Sequence, residues 1–321
     1  MAQFISKKVL GSTLTLVFVL VFNFFLFRVV QPDPVANLFR GRNVPQARLD
    51  QMRTDFGLDG SRLTQFWAYL RETLQLNLGF SYQSRQPVWD DIASKIWPTV
   101  QLVGLAAILS AAIGIIGGVI AGWRRGSAAD YSITSTTMAF YSMPDFWLGM
   151  LLLVAFAVVF PWFPVGGMTE LGVEHSGVGA ILDRLHHLAL PCLTLTLAYL
   201  GEYAIVTRSS LLDVMGEEYL TLAQAKGLRD IQVRNRHAVP NALLPVVTLA
   251  AINFGFVLSG AIAVETLFSW PGLGKATSDA VLGPDLPMLQ GLFLVFSAAV
   301  IVFNLAADVL YAFLDPRVRP A

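Results

Sequence analysis

Residues 101–123 read QLVGLAAILSAAIGIIGGVIAGW and contain no charged side chain. A helix rises about 1.5 Å per residue, so about 20 apolar residues cross the hydrocarbon core of a bilayer. Backbone polar groups find no water there, so only a helix or a closed barrel satisfies them, and the alternating pattern of a barrel strand is absent. The stretch therefore predicts a transmembrane helix.

Similar runs recur along the 321 residues, and the six predicted spans are 9–30, 99–123, 133–160, 188–207, 244–268 and 288–313. The composition agrees, because only 14% of the residues are charged and the mean hydropathy is +0.60, whereas soluble domains are about 25% charged. The predicted fold class is an all-α polytopic membrane protein.

The first span follows Lys7 and Lys8, as the apolar part of a signal peptide does. Its 22 apolar-rich residues are too many for that, and no Ala-x-Ala cleavage site follows Val30, so an uncleaved anchor is predicted. The chain has 22 Lys and Arg residues and 22 Asp and Glu residues, so its net charge is zero. The net charge therefore gives no indication of nucleic-acid binding. The single cysteine, Cys192, excludes an intramolecular disulfide framework.

Positive charge predicts the orientation of the spans, because Lys and Arg accumulate on the cytoplasmic side. One side carries eleven, namely Lys7, Lys8, Arg124, Arg125, Arg208, Lys226, Arg229, Arg234, Arg236, Arg317 and Arg319. The other side has Arg184 and Lys275, with the long loop after the first span left out. Both termini are therefore predicted to be cytoplasmic.

Two segments outside the spans differ in kind. The outer one, 31–96, has helical apolar spacing and predicts a packed extracytoplasmic helical subdomain, with Gly57 and Gly79 as helix stops. The sequence thus predicts three domains. They are residues 1–30, which contain the first span, the outer subdomain 31–96, and a core of residues 97–321. The apolar residues that carry the outer spacing are Leu49, Met52, Phe56, Leu63, Phe66, Leu70 and Leu74.

The inner segment, 208–243, predicts two short helices around a glycine. The first runs from Glu217 to Lys226, Gly227 is its left-handed stop, and Asp230 is the N-cap of a second helix that ends near Pro240. A rigid cytoplasmic protrusion of this kind is what a membrane subunit driven from the cytoplasm needs. An ordinary solvated connector is the alternative, and the residues alone do not separate the two.

This loop resembles the cytoplasmic EAA loop of ABC-importer permeases in the dipeptide/oligopeptide/nickel family. The resemblance rests on the residues from Tyr219 to Leu228 and extends in order along nearly the whole chain, most specifically to the B-type subunit. The other matching stretches are 56–59, 78–81, 87–88, 142–147, 162–165, 265–274 and 308–317.

Two departures accompany the resemblance. The Glu that opens the general EAA pattern is replaced by Thr221, and only Ala223 of its alanine pair remains. After the first span, the family's Pro-Gly-Asp-Pro is Gln31-Pro32-Asp33-Pro34 here. The first departure removes any role for that glutamate, and the second concerns only the geometry at the membrane exit.

The resemblance implies the type I permease fold of an importer for oligopeptides or dipeptides. It also implies four kinds of partner: a homologous C-type permease, two ATP-binding subunits, an extracytoplasmic peptide-binding protein and the bilayer. The family alternatives are nickel chelates and glutathione. The implied ATPase-coupling residues are Glu218, Tyr219, Ala223, Ala225, Lys226, Gly227, His237, Asn241 and Pro245.

No nucleotide site is predicted in this chain, so it is not an enzyme, and ATP and Mg²⁺ belong to the partner ATPases. The nearest phosphate-loop match is Gly272-Leu273-Gly274-Lys275. It has Ser269 where the first glycine is needed and Ala276 where Ser or Thr is needed. An ion-coupled secondary transporter is a weaker alternative, because no internal repeat relates the two halves. A membrane-embedded hydrolase lacks its nucleophile motif.

Charged groups at membrane depth are costly and often functional. Asp145, which follows Pro144, and Glu202 are therefore candidate residues of a translocation path, whereas Glu265 and Asp308 near span ends are expected to be structural. Gly114, Gly118 and Gly122 lie on one helical face and predict close helix packing. No metal site is expected, because His175, His186, His187 and Cys192 lack a ligand spacing.

Overall fold

A computed structural model describes residues 2–30, 45–55, 60–173, 175–255, 257 and 261–314. Side chains are described for these residues except 2–5, 30, 52, 55, 254–255 and 307–314. The predicted stop at Gly57, the 56–59 stretch, Gln31 to Pro34 and the tail arginines lie outside the described residues. Asp308 lies within a described helix, but its side chain lies outside this description.

Helices make up nearly all of the regular structure in this part of the chain, and an isolated bridge pairs Phe80 with Pro87. The first seven are α1 (Ala2–Phe24), α2 (Gln46–Asp55), α3 (Arg62–Leu74), α4 (Val88–Thr99), α5 (Leu105–Trp123), α6 (Ala128–Tyr141) and α7 (Asp145–Leu153). The others are α8 (Val178–Met215), α9 (Glu218–Ala225), α10 (Asp230–Val233), α11 (Val239–Ala242), α12 (Leu244–Gly255), α13 (Ile262–Leu267), α14 (Leu273–Leu282) and α15 (Leu286–Leu314). Wider π-helical turns occupy Phe25–Val30, Val100–Gly104, Val154–Val159 and Arg234–Ala238.

Among the described residues, four helical stretches are long and apolar enough to cross a membrane, namely Ser6–Val29, Val88–Trp123, Val178–Met215 and Leu286–Ala306. A fifth span results if Ala128–Tyr141 and Asp145–Val159 count as one, although they bend by 99° at their junction. The predicted span 244–268 appears as α12 and α13, each too short to cross alone. The predicted all-α membrane fold is confirmed, and the predicted count of six is compatible with these helices.

The chain divides into two compact units, residues 1–98 with 272–321 and residues 99–271. In the first unit, α1 packs beside α15, and the Asn23 amide donates to the Gln290 carbonyl at 3.1 Å. Aromatic contacts then join α1 to α3, because Phe24 meets Phe66 edge-on with ring centroids 5.2 Å apart. The helices α2 and α3 fall in the segment for which a helical subdomain was predicted.

The second unit is organised by the packing of α5 against the long helix α8. A Cβ built on Gly114 would lie 2.6 Å from the Leu200 carbonyl oxygen, and one on Gly118 would lie 2.5 Å from that of Ala204. A side chain at either position would force the helices apart, so glycine permits the contact. The predicted packing role of the glycine face is confirmed.

Glu265 is fully buried in this unit and accepts a hydrogen bond from the Thr99 hydroxyl at 3.0 Å. Its main-chain carbonyl accepts from the Trp270 N–H at 2.8 Å, which closes the turn after α13. Both contacts agree with the structural role expected for this glutamate.

Candidate functional site

The inner segment 208–243 folds around a small hydrophobic core of its own. Residues from α5 and α8 complete that core, because Val119, Trp123 and Val214 pack against it. The segment is therefore built on the ends of two long helices. Its buried residues are Leu211, Leu220, Ala223, Val233, Ala238 and Ala242.

The short helix α9 presents one face to this core and the other to solvent. Leu220 and Ala223 are only 4% and 7% exposed, whereas Tyr219 and Leu222 are 40% and 56% exposed. Ala223, one of the predicted coupling residues, faces this core. Its small size allows α9 to approach the loop's own core.

The remaining α9 candidates lie on the solvent side of the helix. Glu218, Ala225 and Lys226 are all exposed. Partial burial, followed by the negative charge of Glu217, raises the pKa of Tyr219, whose hydroxyl therefore stays protonated at neutral pH. The outer face of α9 thus offers an aromatic ring, an apolar Leu and a small Ala.

Gly227 has φ +79°, so the predicted left-handed stop is present. Its N–H donates to the Gln224 carbonyl at 2.9 Å, and the Leu228 N–H donates to Ala223 at 3.4 Å. These bonds satisfy the last carbonyls of α9. A Cβ built on Gly227 meets nothing within 4 Å, so glycine is needed here for its backbone conformation and not for space.

The second helical stretch differs from the prediction at its start and its end. Arg229 is the N-cap, and Asp230 is the first helical residue. The helical path continues through a π-helical turn and past Pro240 to Ala242.

The candidates near the end of the loop lie on the solvent side or at its edge. His237 is half-buried, and its carbonyl accepts from the Asn241 amide at 2.7 Å. Asn241 and Pro245 are exposed, and Asn241 interacts with the Tyr219 hydroxyl. This contact brings the coupling residues predicted in α9 next to those predicted near the end of the loop.

Polar contacts fasten the loop to the long helices. The Trp123 indole N–H donates to Asp230 at 2.9 Å, which joins the end of α5 to the start of α10. At the base of the loop, Arg208 Nε and Nη2 donate to the two carboxylate oxygens of Asp130 at 2.6 and 2.9 Å. A bidentate pair with a carboxylate that is 2% exposed fixes α8 against α6.

A cavity of about 430 Å³ lies between the end of α5 and the first two helices of the loop. Polar and apolar groups surround this cavity, which forms a small groove in the surface of the loop. Its lining residues are Trp123, Arg124, Met215, Leu220, Thr221, Gln224, Asp230 and Val233.

The two carboxylates proposed for a translocation path lie near a common tyrosine. Asp145 begins α7 directly after the sharp bend, and it accepts from the Phe146 N–H at 2.7 Å. Glu202 on α8 accepts from the Asn253 amide at 3.2 Å. Tyr199 interacts electrostatically with both carboxylates. The bend after Pro144 and the half-buried carboxylates fit a polar region between helices.

A further set of titratable groups lies in the loop between α7 and α8. The ligand atoms of Glu170, His175 and Asp183 all lie within 4.8 Å of one another. The set could hold a cation, although Asp183 also pairs with His187 at 3.0 Å. Sequence reasoning tested histidine spacing alone and so overlooked a set spread over a loop and a helix.

Sequence reasoning also missed Leu222 and Ile231, which are 56% and 54% exposed on the loop surface. Two apolar side chains exposed on a compact loop favour contact with another protein. Leu222 left no signal in the sequence, because the eight residues of α9 are too few for their own pattern to define a buried face. No sequence signal links Glu202 to Asn253, which lies 51 residues later.

The comparisons with known proteins agree with this architecture. Residues 114–320 match the family described as the binding-protein-dependent transport system inner membrane component. Residues 1–103 match the N-terminal membrane component of the same kind of system. The chain belongs to this family. It is therefore a multi-pass membrane permease component of a transport system.

Similar permeases cover the chain from end to end. The glutathione transport system permease protein GsiC of Escherichia coli K12 is 37% identical over 319 residues, with 99% of both chains covered. The same protein of Pectobacterium atrosepticum is 39% identical over 323 residues. The di/tripeptide transport system permease protein DppB of Pseudomonas aeruginosa is 35% identical over 335 residues, again with 99% of both chains covered.

Proposed function

We propose that this permease is one half of the translocation path of an ATP-driven importer for short peptides. Family membership supports the transport role, and the di/tripeptide permease DppB supports the substrate. Glutathione is the second candidate, because GsiC permeases are similar to the chain over almost its full length. Uptake of labelled dipeptide, tripeptide and glutathione by the complete transporter in vesicles distinguishes these substrates.

The complete transporter, in this proposal, contains a related second permease, two ATP-binding subunits and an extracytoplasmic binding protein. ATP and Mg²⁺ are assigned to the ATP-binding subunits. Both termini are proposed to be cytoplasmic, which puts the 208–243 loop on the same side as ATP. The excess of Lys and Arg on that side supports the orientation.

One observation carries the coupling role, namely the exposed face of α9 on a loop with its own core. Tyr219, Leu222 and Ala225 follow one another on this face at helical spacing. The Trp123 contact fastens the loop to α5, and the Arg208 contact fixes α8, from which the loop emerges, against α6. A rigid element with an apolar outer face can pass a displacement from a docked ATPase to the membrane helices.

Disulfide crosslinking tests this docking. Cys192 is buried, so its replacement by alanine gives a cysteine-free background. We expect Leu222→Cys in that background to crosslink to a cysteine-bearing ATPase subunit in the assembled complex. Thr64→Cys, exposed on α3 in the other unit, is the matched control and should not crosslink. Equal crosslinking at the two positions, or none at Leu222, contradicts the proposed coupling role and leaves the family assignment unchanged.

Asp145 and Glu202 are proposed to line the path, with Tyr199 beside them. Their charge suits the ammonium group of a peptide amino terminus, which a buried carboxylate binds strongly. The Asn253 contact supports this role because it holds the Glu202 side chain in place.

A further inference from the structure

A cavity of about 700 Å³ lies within the first unit. It is bounded by the end of α1, by α3 and the loop that follows it, and by the start of α15. Its volume is in the range of small-molecule sites. The polar residues that line it include Arg28, Tyr69, Glu72, Asn77, Tyr82 and Gln290.

The cavity lies at the level where two apolar stretches end. It is therefore at one of the two membrane surfaces, cytoplasmic or extracytoplasmic. The apolar stretch that contains α1 ends at Val29, in the π-helical turn after α1, and the stretch in α15 begins at Leu286. The Asn23 amide donates to the Gln290 carbonyl, so these two ends lie at the same level. Arg28 and Gln290 are therefore within about one helical turn of the boundary between hydrocarbon and headgroups.

The helix α3 covers the cavity and has two contrasting faces. Gln65 and Tyr69 face the protein and are 6% and 8% exposed. On the opposite face, Leu63, Trp67 and Leu74 are 72%, 64% and 74% exposed. An apolar face with a tryptophan, next to a span end, is typical of a helix lying in the interface. The cavity behind α3 is thus adjacent to lipid.

One arginine, Arg28, lines the cavity, and a second, Arg62, contacts its main chain. The Arg62 guanidinium donates to the Arg28 carbonyl at 2.8 Å, and the Arg28 side chain interacts electrostatically with Tyr69 and Tyr82. Glu72 is the acidic residue in the lining, and it accepts a hydrogen bond from Asn77. Arg28 lines the cavity, and its guanidinium is suited to bind an anionic group.

One buried donor in the lining has no hydrogen bond of normal geometry. The Tyr69 hydroxyl is buried and unbonded by distance and angle, although Thr73 and Gln290 lie close to it. Burial raises the pKa of Tyr69 to about 12, so the group remains a donor at neutral pH. A buried hydroxyl without a well-formed hydrogen bond is destabilised, and an acceptor from a ligand would complete the bond.

We propose that this cavity binds the phosphodiester of a phospholipid headgroup, between Arg28 and the Tyr69 hydroxyl. The apolar part of the lining, which includes Phe27, Leu286 and Leu294, leads from these groups along α1 and α15. The acyl chains follow that path into the bilayer. A free phosphate ion also offers anionic oxygens, but it has no apolar part to bury against this wall.

Native mass spectrometry of the purified, delipidated full chain tests the proposal. The probes are dioctanoyl-phosphatidylglycerol, dioctanoylglycerol, which lacks the phosphate, and inorganic phosphate. We expect one tightly bound phosphatidylglycerol, and binding of the other two probes at least about tenfold weaker. Inorganic phosphate bound as tightly as the lipid overturns the lipid as occupant, and equal binding of dioctanoylglycerol overturns the phosphate contact.

Variants locate the bound lipid. We expect Tyr69→Phe to weaken phosphatidylglycerol binding about fivefold and Arg28→Gln about tenfold or more. The matched controls are Tyr131→Phe and Arg71→Gln, both exposed and outside the cavity, and they should bind as the wild type does. Unchanged binding in Tyr69→Phe overturns the site even if Arg28→Gln fails to fold, because the lipid is then held elsewhere on the surface.

Discussion

Replacing Gly227 by valine tests whether the shape of the 208–243 loop matters for transport. The residue has φ +79°, where an L-residue is strained by about 1 to 2 kcal/mol and a β-branched one by up to about 3. A Cβ there meets no atom within 4 Å, so strain is the whole effect. A penalty of that size reduces the population of the native loop conformation by about 5- to 150-fold.

The assay is peptide uptake and peptide-stimulated ATP hydrolysis by the complete transporter in vesicles. We expect Gly227→Val to insert normally and to lower both rates by at least about fivefold. Gly216→Val is the matched control in the same loop, because Gly216 has φ −81° and should tolerate a side chain. Gly227→Asn should keep most of the activity, since asparagine adopts the left-handed conformation at small cost.

Two results would refute this reasoning. Wild-type coupled transport by a well-inserted Gly227→Val variant would show that the loop is only a connector. Equal loss in Gly216→Val and Gly227→Val would show that bulk in the loop matters and backbone strain does not.

Two other predictions concern helix packing and the translocation path. Gly118→Ala should lower the free energy of unfolding in detergent by about 1 to 3 kcal/mol, because the Cβ of the new alanine would overlap α8. Its neighbour Gly117→Ala, whose Cβ would lie 3.4 Å from Ile133, should be neutral or stabilising, and equal effects would contradict the packing argument. Glu202→Gln should raise the KM for peptide uptake by about tenfold or more, since a charge-assisted hydrogen bond is lost. The exposed Asp213→Asn on the same helix should leave KM unchanged, and an unaltered KM in Glu202→Gln would remove that residue from the path.

The sequence by itself determined the features that depend on local physics. An uncharged run such as 101–123 has one stable solution in lipid, so the helical membrane fold follows directly. The stop at Gly227 follows from the preference of glycine for positive φ at a helix end. The glycine face of α5 follows from a spacing of four residues, which returns to the same side of a helix.

Only the tertiary structure decided which side chains of the loop face outward. Ala223 is buried and Leu222 is exposed because Val119 and Trp123, about a hundred residues earlier, supply the wall of the loop's core. An eight-residue helix cannot choose its buried face without such a wall, because its own pattern is too short to define one.

The same reason applies to the polar contacts. Asp130 and Arg208 are 78 residues apart, and Glu202 and Asn253 are 51 apart. Neither pair has a local signature, since a charge or an amide looks the same in sequence whether or not a partner reaches it. The Tyr69 hydroxyl and the cavity beside it likewise exist only once α1, α3 and α15 have packed together, because burial is a property of neighbouring helices and not of a residue type.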